Sequence, residues 1–172
     1  MSEKTVYLDN NATTMVDPQV FEAMKPYFCD LYGNPSSMHE FGGQVMHAVD
    51  KAREQVKDFL GARDAKEIIF TASGSEGDNM AIRGVLEANK NKKHIITTKI
   101  EHPAVLNVYK YLEKQGYDVT YLDVDSKGNL DLNQLAESIT DETALVSIMY
   151  ANNETGVILP VEKAAKIVKA KN

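Results

Sequence analysis

Cysteine is almost absent from this 172-residue chain, because Cys29 is the only one. A single cysteine excludes an intrachain disulfide and any metal cluster built on several cysteines, and we expect no metal site. Long apolar runs are missing too, since each spans a few residues whereas a bilayer requires about 20. The opening Met1–Lys4 lacks the apolar core of a signal peptide, so we expect a cytoplasmic protein without a membrane partner.

Positive charge is also not in excess. Lysine and arginine number 19 against 25 acidic residues, which gives a formal net charge of −6 and no basic surface for nucleic acid. We therefore expect no nucleic-acid partner. A hydrophobic content of 43% and a charged content of 26% are typical of a globular chain with one ordinary core, and no repeat or low-complexity tract interrupts it.

Short β-prone runs alternate with helical segments from Glu67 onward, whereas the residues before it predict helices and loops. The strand-like runs are 68–70, 94–97, 119–122 and 144–148. Helices are expected over about 18–28, 45–60, 75–89, 103–115, 132–139 and from Pro160 onward. This alternation favours an α/β fold with a mostly parallel sheet and flanking helices, and we divide the chain into residues 1–66 and 67–172.

A small-residue turn joins the first strand-like run to the helix that follows it. Unpaired backbone N–H groups at such a helix start favour an anion. Gly74 would let a phosphate approach the backbone, and Ser75 would add a hydroxyl donor. The alternative is that Ser75 only caps the helix, and the turn matches neither a P-loop nor a dinucleotide-binding fingerprint.

Polar side chains follow two further strands, at the edge where α/β sheets bind ligands. His102 follows the strand at 94–97, and its imidazole could stack on a flat ring or move protons. Packing at a helix start is the alternative for His102. Asn152 and Asn153 follow the strand at 144–148, where Asn152 is expected to form an Asx turn and Asn153 becomes a candidate because three strand ends converge.

Two loops near the start of the chain are rich in polar residues, namely Tyr7–Thr14 and Gly33–Gly42. Either could be ordinary loop chemistry. Cys29 follows a helical aromatic face without an adjacent cationic pair, so we expect a buried or incidental thiol rather than a reactive one.

Taken together, five segments in this order resemble the cysteine desulfurase family of class V aminotransferases. They are Tyr7–Thr14; Gly33–Ser37 with His39; Phe70–Thr71 with Glu76 and Asp78–Asn79; Glu101–Ala104; and Ala151–Gly156. The resemblance implies part of the large domain of a fold-type-I pyridoxal 5'-phosphate (PLP) enzyme. It also implies a homodimer, or an association with the missing C-terminal half, that takes sulfur from L-cysteine and leaves L-alanine and a persulfide for an iron–sulfur scaffold protein.

The resemblance also implies residue roles. Gly74 and Ser75 would bind the PLP phosphate, His102 would stack on the ring and transfer a proton, and Asn153 would donate to the 3'-oxygen. Ala12, Thr13, Asn34 and His39 would border the substrate.

The family's remaining catalytic groups would lie after Asn172, including the lysine that binds PLP covalently and the cysteine that carries the persulfide. Residues 1–66 would then form a helical arm with an active-site loop, and 67–172 the first part of the PLP-binding domain. By the same resemblance, this chain by itself would be inactive. The alternatives are a non-catalytic binding or scaffold fragment of this fold and an enzyme of the selenocysteine lyase kind.

Overall fold

The computed structural model describes residues 5–171, so the expectation drawn from Met1–Lys4 lies outside the described residues. Contacts within the chain divide it between Phe70 and Thr71 into two compact units. Among residues 5–171, no helix combines the length and the apolar character that crossing a membrane requires.

Two short helices open the first unit. Helix α1 (Pro18–Met24) begins after Asp17, whose carboxylate accepts a hydrogen bond from the backbone N–H of Gln19 at 2.7 Å. Helix α2 (Pro26–Cys29) follows at once. The prediction of one continuous helix over 18–28 is wrong, because Pro26 has no N–H to donate and begins a new helix instead of extending α1.

The long helix α3 (Glu40–Leu60) follows the turn-rich loop, as the sequence predicts. Its first turn is capped by His39, whose Nδ1 accepts a hydrogen bond from the N–H of Gly42 at 3.1 Å. It ends at Gly61, which takes a left-handed conformation with φ of 68°.

The run at 68–70 was predicted to be a strand, and that prediction is wrong. After a 3₁₀ turn (Ala65–Glu67), Ile68 has an extended backbone, but residues 68–70 join no strand of the described chain. The Arg53 guanidinium donates to the carbonyl of Ile68 and lies 5.0 Å from the centre of the Phe70 ring. An extended apolar segment becomes a strand only when a neighbouring strand takes its backbone hydrogen bonds.

The second unit is built on a parallel sheet of three strands in the order β2-β1-β3, among the described residues. Helix α4 is followed by three strand–helix repeats. The elements in chain order are α4 (Gly74–Ala88), β1 (His94–Thr98), α5 (Pro103–Lys114), β2 (Asp118–Leu122), α6 (Leu132–Ser138), β3 (Thr143–Val146) and α7 (Val161–Lys171). The expected α/β class with a parallel sheet and flanking helices is confirmed.

Both faces of the central strand β1 are covered, because successive side chains point to opposite sides of a sheet. Ile95 packs against Leu86 of α4 and Tyr109 of α5 in one cluster of buried residues. Ile96 lies in a second cluster, with Leu135 of α6 among others. All five residues of β1 are buried, so the sheet is fixed between two layers of helices.

At the amino end of β1, His94 joins all three strands. Its Nδ1 lies 2.7 Å from the hydroxyl oxygen of Thr143 in β3, and its Nε2 lies 2.9 Å from that of Thr120 in β2. The Thr143 hydroxyl oxygen also accepts from the N–H of Thr140 at 2.9 Å. These groups satisfy one another in a buried place where an unpaired polar atom would be costly.

Candidate functional site

The start of α4 presents two backbone N–H groups to an anion. Ser73, not Ser75, is the N-cap: its hydroxyl oxygen accepts from the N–H of Glu76 at 3.2 Å, and a Glu76 carboxylate oxygen accepts from Ala72 N at 2.6 Å. The alternative that Ser75 only caps the helix is therefore wrong. The reason is that the Ser73 hydroxyl already caps the N–H of Glu76, while the Glu76 carboxylate accepts from Ala72, the residue before the cap.

Gly74 and Ser75 consequently lie in the first helical turn with their donors still available. No hydrogen bond among residues 5–171 uses the N–H of Gly74, the N–H of Ser75 or the Ser75 hydroxyl. A Cβ placed on Gly74 would meet no atom within 4 Å, so the space beside this backbone is open. Unpaired N–H groups, a hydroxyl and the positive end of a 15-residue helix fit a phosphate.

His102 caps α5 and is exposed. Its Nδ1 accepts a hydrogen bond from the N–H of Ala104 at 3.0 Å, and Pro103 occupies the first helical position. Because Nδ1 is an acceptor here, the neutral ring carries its proton on Nε2. His102 therefore does pack at a helix start, which was the alternative to a functional role. This capping contact fixes the ring, and Nε2 and the exposed ring face stay available to a ligand.

The segment after β3 is ordered by Asn152, which forms the expected Asx turn. Its side-chain oxygen accepts from the N–H of Glu154 at 3.0 Å and from the N–H and hydroxyl of Thr155 at 2.9 and 3.1 Å. Asn153 is half-buried, and its amide donates to a Glu154 carboxylate oxygen at 3.0 Å.

Sequence reasoning missed Glu101, a carboxylate with only 6% of its surface exposed. One of its oxygens accepts from the N–H of Met149 at 2.8 Å and from the Thr98 hydroxyl at 2.9 Å. Burial raises the pKa of Glu101, and the nearby charge of Asp78 in α4 acts in the same direction. Its strongest partner is 48 residues away, so no local pattern could have revealed it.

Contacts join the segments that carry the candidates. Glu101 binds Met149, and the Asn152 amide donates to the carbonyl of Ile100 at 3.0 Å, so the loop after β1 is connected to the loop after β3. Two of the three segments that were expected to converge, the loop after β1 and the loop after β3, are therefore held together by hydrogen bonds.

The candidates for the substrate side lie in the first unit, where each has local partners. The Thr13 hydroxyl lies 2.5 Å from the Tyr7 hydroxyl, and Ala12 N donates to Asp9 O at 3.1 Å. In the other loop, the Asn34 side-chain oxygen accepts from Ser36 N at 2.9 Å.

Asn34 and His39 both lie next to Gly42 at the start of α3. His39 accepts from the N–H of Gly42, and a Cβ on Gly42 would lie 2.5 Å from the carbonyl oxygen of Asn34. Only a glycine allows the loop to close this tightly. Cys29 is exposed, so the expectation of a buried thiol is wrong and the description as incidental remains.

Comparison with known proteins gives the family. The model of the class-V aminotransferases matches residues 6–172, and the chain belongs to that family. The most similar relatives include a cysteine desulfurase of Nostoc sp., 64% identical over 95% of this chain, and the cysteine desulfurase NifS of Azotobacter vinelandii, 51% identical over 94%. These alignments cover 41% and 40% of the two relatives, so the chain spans about two fifths of their length.

Solved structures agree with this family. A NifS-like protein superposes with a TM-score of 0.91 at 46% identity, over 95% of this chain and 45% of that one. A protein described as SspA in complex with cysteine gives 0.90 at 39% identity, over 96% and 48%. The fold is therefore that of the fold-type-I enzymes, and the predicted family resemblance is confirmed.

Proposed function

We propose that this chain forms the phosphate-binding and ring-binding side of a PLP-dependent cysteine desulfurase. The observation that carries the proposal is the start of α4, where Gly74 and Ser75 offer three donors around open space. A phosphate monoester bears close to two negative charges, which suits a helix N-terminus better than any neutral ligand. The relatives named above are cysteine desulfurases, which favours PLP among phosphate-bearing cofactors.

His102 and Asn153 would bind the ring of that cofactor. His102 would stack on the ring face, and its Nε2 would hold the proton that is exchanged with the substrate. Asn153 would donate its amide hydrogen to the 3'-oxygen. PLP, when bound, supplies the electron sink that weakens bonds at the substrate's α-carbon; the protein residues orient the ring and exclude water.

We further propose L-cysteine as the substrate, with Ala12, Thr13, Asn34 and His39 as the residues that would border it. The products would be L-alanine and a persulfide that passes to an iron–sulfur scaffold protein. The enzyme would act as a homodimer in the cytoplasm. The relative named cysteine desulfurase NifS supports L-cysteine as the substrate.

A chimera tests the proposal directly. Residues 1–172 replace the matching segment of the Nostoc enzyme, so that one polypeptide carries this chain and the relative's remaining three fifths. We expect a visible absorption band from bound PLP and sulfide release from L-cysteine in the presence of a thiol. Residues 1–172 expressed by themselves serve as the control, for which we expect weak PLP binding without a covalent bond.

Two outcomes would contradict the proposal. A chimera that folds but neither binds PLP nor releases sulfide would favour a non-catalytic binding protein. A chimera that acts on L-selenocysteine and not on L-cysteine would indicate a selenocysteine lyase.

His102 can be tested without losing the helix cap. His102→Asn keeps a side-chain acceptor for the N–H of Ala104 but removes the imidazole, whereas His102→Ala removes both. We expect both variants to lower kcat by about 100-fold, as for loss of a general acid–base group, while PLP occupancy changes little. Unchanged turnover in His102→Asn would remove the ring from the mechanism.

A further inference from the structure

Two buried polar side chains connect the loop after β1 to the loop after β3, in opposite directions. Glu101, on the first loop, accepts from the backbone N–H of Met149, next to the second loop, at 2.8 Å. Asn152, on the second loop, donates to the backbone carbonyl of Ile100 on the first, at 3.0 Å. Glu101 and Asn152, called the interloop pair below, expose only 6% and 8% of their surfaces.

Each member of the interloop pair directly precedes a residue proposed to contact the cofactor. Glu101 precedes His102, and Asn152 precedes Asn153. A shift between the two loops would therefore change the separation of His102 and Asn153. Two opposed hydrogen bonds restrict such a shift more strongly than one, because sliding that shortens one of them lengthens the other.

The chemistry of the pair argues for a role beyond stability. A carboxylate buried against two neutral donors costs free energy that an apolar side chain of the same size would not, since no cation offsets its charge in the contacts of residues 5–171. Both hydrogen bonds of Glu101 are accepted by one carboxylate oxygen. One donor, Thr98, lies at the end of β1, and the other, Met149, follows the end of β3. The geometry fits a group that fixes the relative position of two loops.

We propose that Glu101 and Asn152 are positioning residues, which set the distance between His102 and Asn153 and thereby align the cofactor ring. This inference rests on the proposed function. Neither residue is expected to touch cofactor or substrate.

The chimera allows each contact to be altered singly. Glu101→Leu removes the acceptor, whereas Glu101→Gln keeps an oxygen that can accept from Met149 N and the Thr98 hydroxyl. Asn152→Asp keeps the oxygen that accepts in the Asx turn and replaces the amide nitrogen that donates to the carbonyl oxygen of Ile100. A carboxylate oxygen would then face that carbonyl oxygen. The readouts are kcat, KM for L-cysteine, the visible absorption maximum and the dissociation constant for PLP.

For Glu101→Leu and Asn152→Asp we expect kcat to fall by about 10- to 100-fold, because misplacing a reacting group by about 1 Å costs a factor of this size. KM should change less than about 3-fold, the absorption maximum should shift, and PLP should bind more weakly. Glu101→Gln should restore kcat to within about 3-fold of the unmodified chimera. The double variant should have a kcat no lower than that of the more impaired single variant, since both substitutions act on the same separation between the loops.

Thr143→Val is the matched control. Thr143 is a buried polar residue at the opposite end of the sheet, where its hydroxyl pairs with His94. We expect it to lower the melting temperature as the pair variants do but to leave kcat, the spectrum and PLP affinity unchanged.

The proposal is overturned if the pair variants lower the melting temperature as Thr143→Val does and change no other readout. It is equally overturned if Glu101→Gln is as impaired as Glu101→Leu. Should Glu101→Leu fail to fold, Asn152→Asp decides by the same readouts. An inactive unmodified chimera would instead contradict the proposed function, and this is seen before any variant is made.

Discussion

Glu101 is a buried carboxylate at the candidate site. Its side chain is almost fully removed from water, and burial raises its pKa above the usual value of 4.5. The unfolded chain therefore loses the proton at a lower pH than the folded chain does. The contribution of Glu101 to stability is complete below pH 4.5 and decreases as the pH rises through the interval up to the raised pKa.

Glu101→Gln should remove this pH dependence, because glutamine does not titrate. The free energy of unfolding of the chimera, measured with urea from pH 4.5 to about 7, should fall less steeply in the variant than in the parent. Equal slopes would mean that Glu101 titrates normally and is not desolvated as the structure indicates.

Two adjacent threonines of β1 provide a second test at the same scale. Thr97 and Thr98 are both fully buried, but only the Thr98 hydroxyl has a partner among the described residues, namely Glu101. Thr97→Val should raise the free energy of unfolding by about 1 kcal/mol, because valine has the same shape without an unpaired hydroxyl. Thr98→Val should lower it by about 1 to 2 kcal/mol. Urea unfolding distinguishes the two, and equal effects would contradict the hydrogen-bond assignment.

At the start of helix α4, one serine caps the helix and another is proposed to bind the cofactor phosphate. Ser73 caps the helix, whereas Ser75 lies in its first turn with an available hydroxyl. Ser73→Ala should therefore lower the free energy of unfolding by about 1 kcal/mol. Ser75→Ala should leave stability unchanged and weaken PLP binding about 10-fold, since it removes one hydrogen bond to a charged group. Fluorescence titration with PLP measures the effect of Ser75→Ala. If Ser75→Ala lowered stability and Ser73→Ala weakened PLP binding, the structure of this turn would be refuted.

Most elements could be predicted from the sequence because their signals are local. Pro103 and Gly116 delimit α5, and Asp131 caps α6 with its carboxylate, which accepts from the N–H of Asn133 at 2.8 Å. The errors have non-local causes. Ile68–Phe70 resembles a strand, but its pairing depends on distant residues, and the choice between Ser73 and Ser75 as cap depends on one turn of backbone.

The site shows the same limit. His102 and Asn153 could be proposed because they follow strands at the edge of the sheet where ligands bind. Glu101 and Asn152 could not, since the partners that define their roles are 48 and 52 residues away along the chain.

For the whole molecule, the two units divide the proposed tasks. The residues proposed for PLP lie in residues 71–171, and those proposed for the substrate side lie in residues 5–70. With a net charge of −6, the chain does not attract a phosphate by its overall field, so the proposed affinity for PLP would come from the local donors at α4.

Substitutions in the first unit should accordingly change substrate binding and not cofactor binding. His39→Asn keeps a cap for the N–H of Gly42 and removes the ring. In the chimera we expect KM for L-cysteine to rise about 5-fold or more, within the range of a lost polar contact, while the dissociation constant for PLP stays the same. Steady-state kinetics and PLP titration measure both, and a weakened PLP affinity would contradict this division.

The polar contacts of His94 also bear on the order in which the sheet assembles. Its partner in β2 is 26 residues away, whereas its partner in β3 is 49 residues away. Closing a loop twice as long costs about 0.6 kcal/mol more conformational entropy. We therefore expect the β1–α5–β2 repeat to form first during folding, and β3, which is followed by Asn152 and Asn153, to join the sheet last.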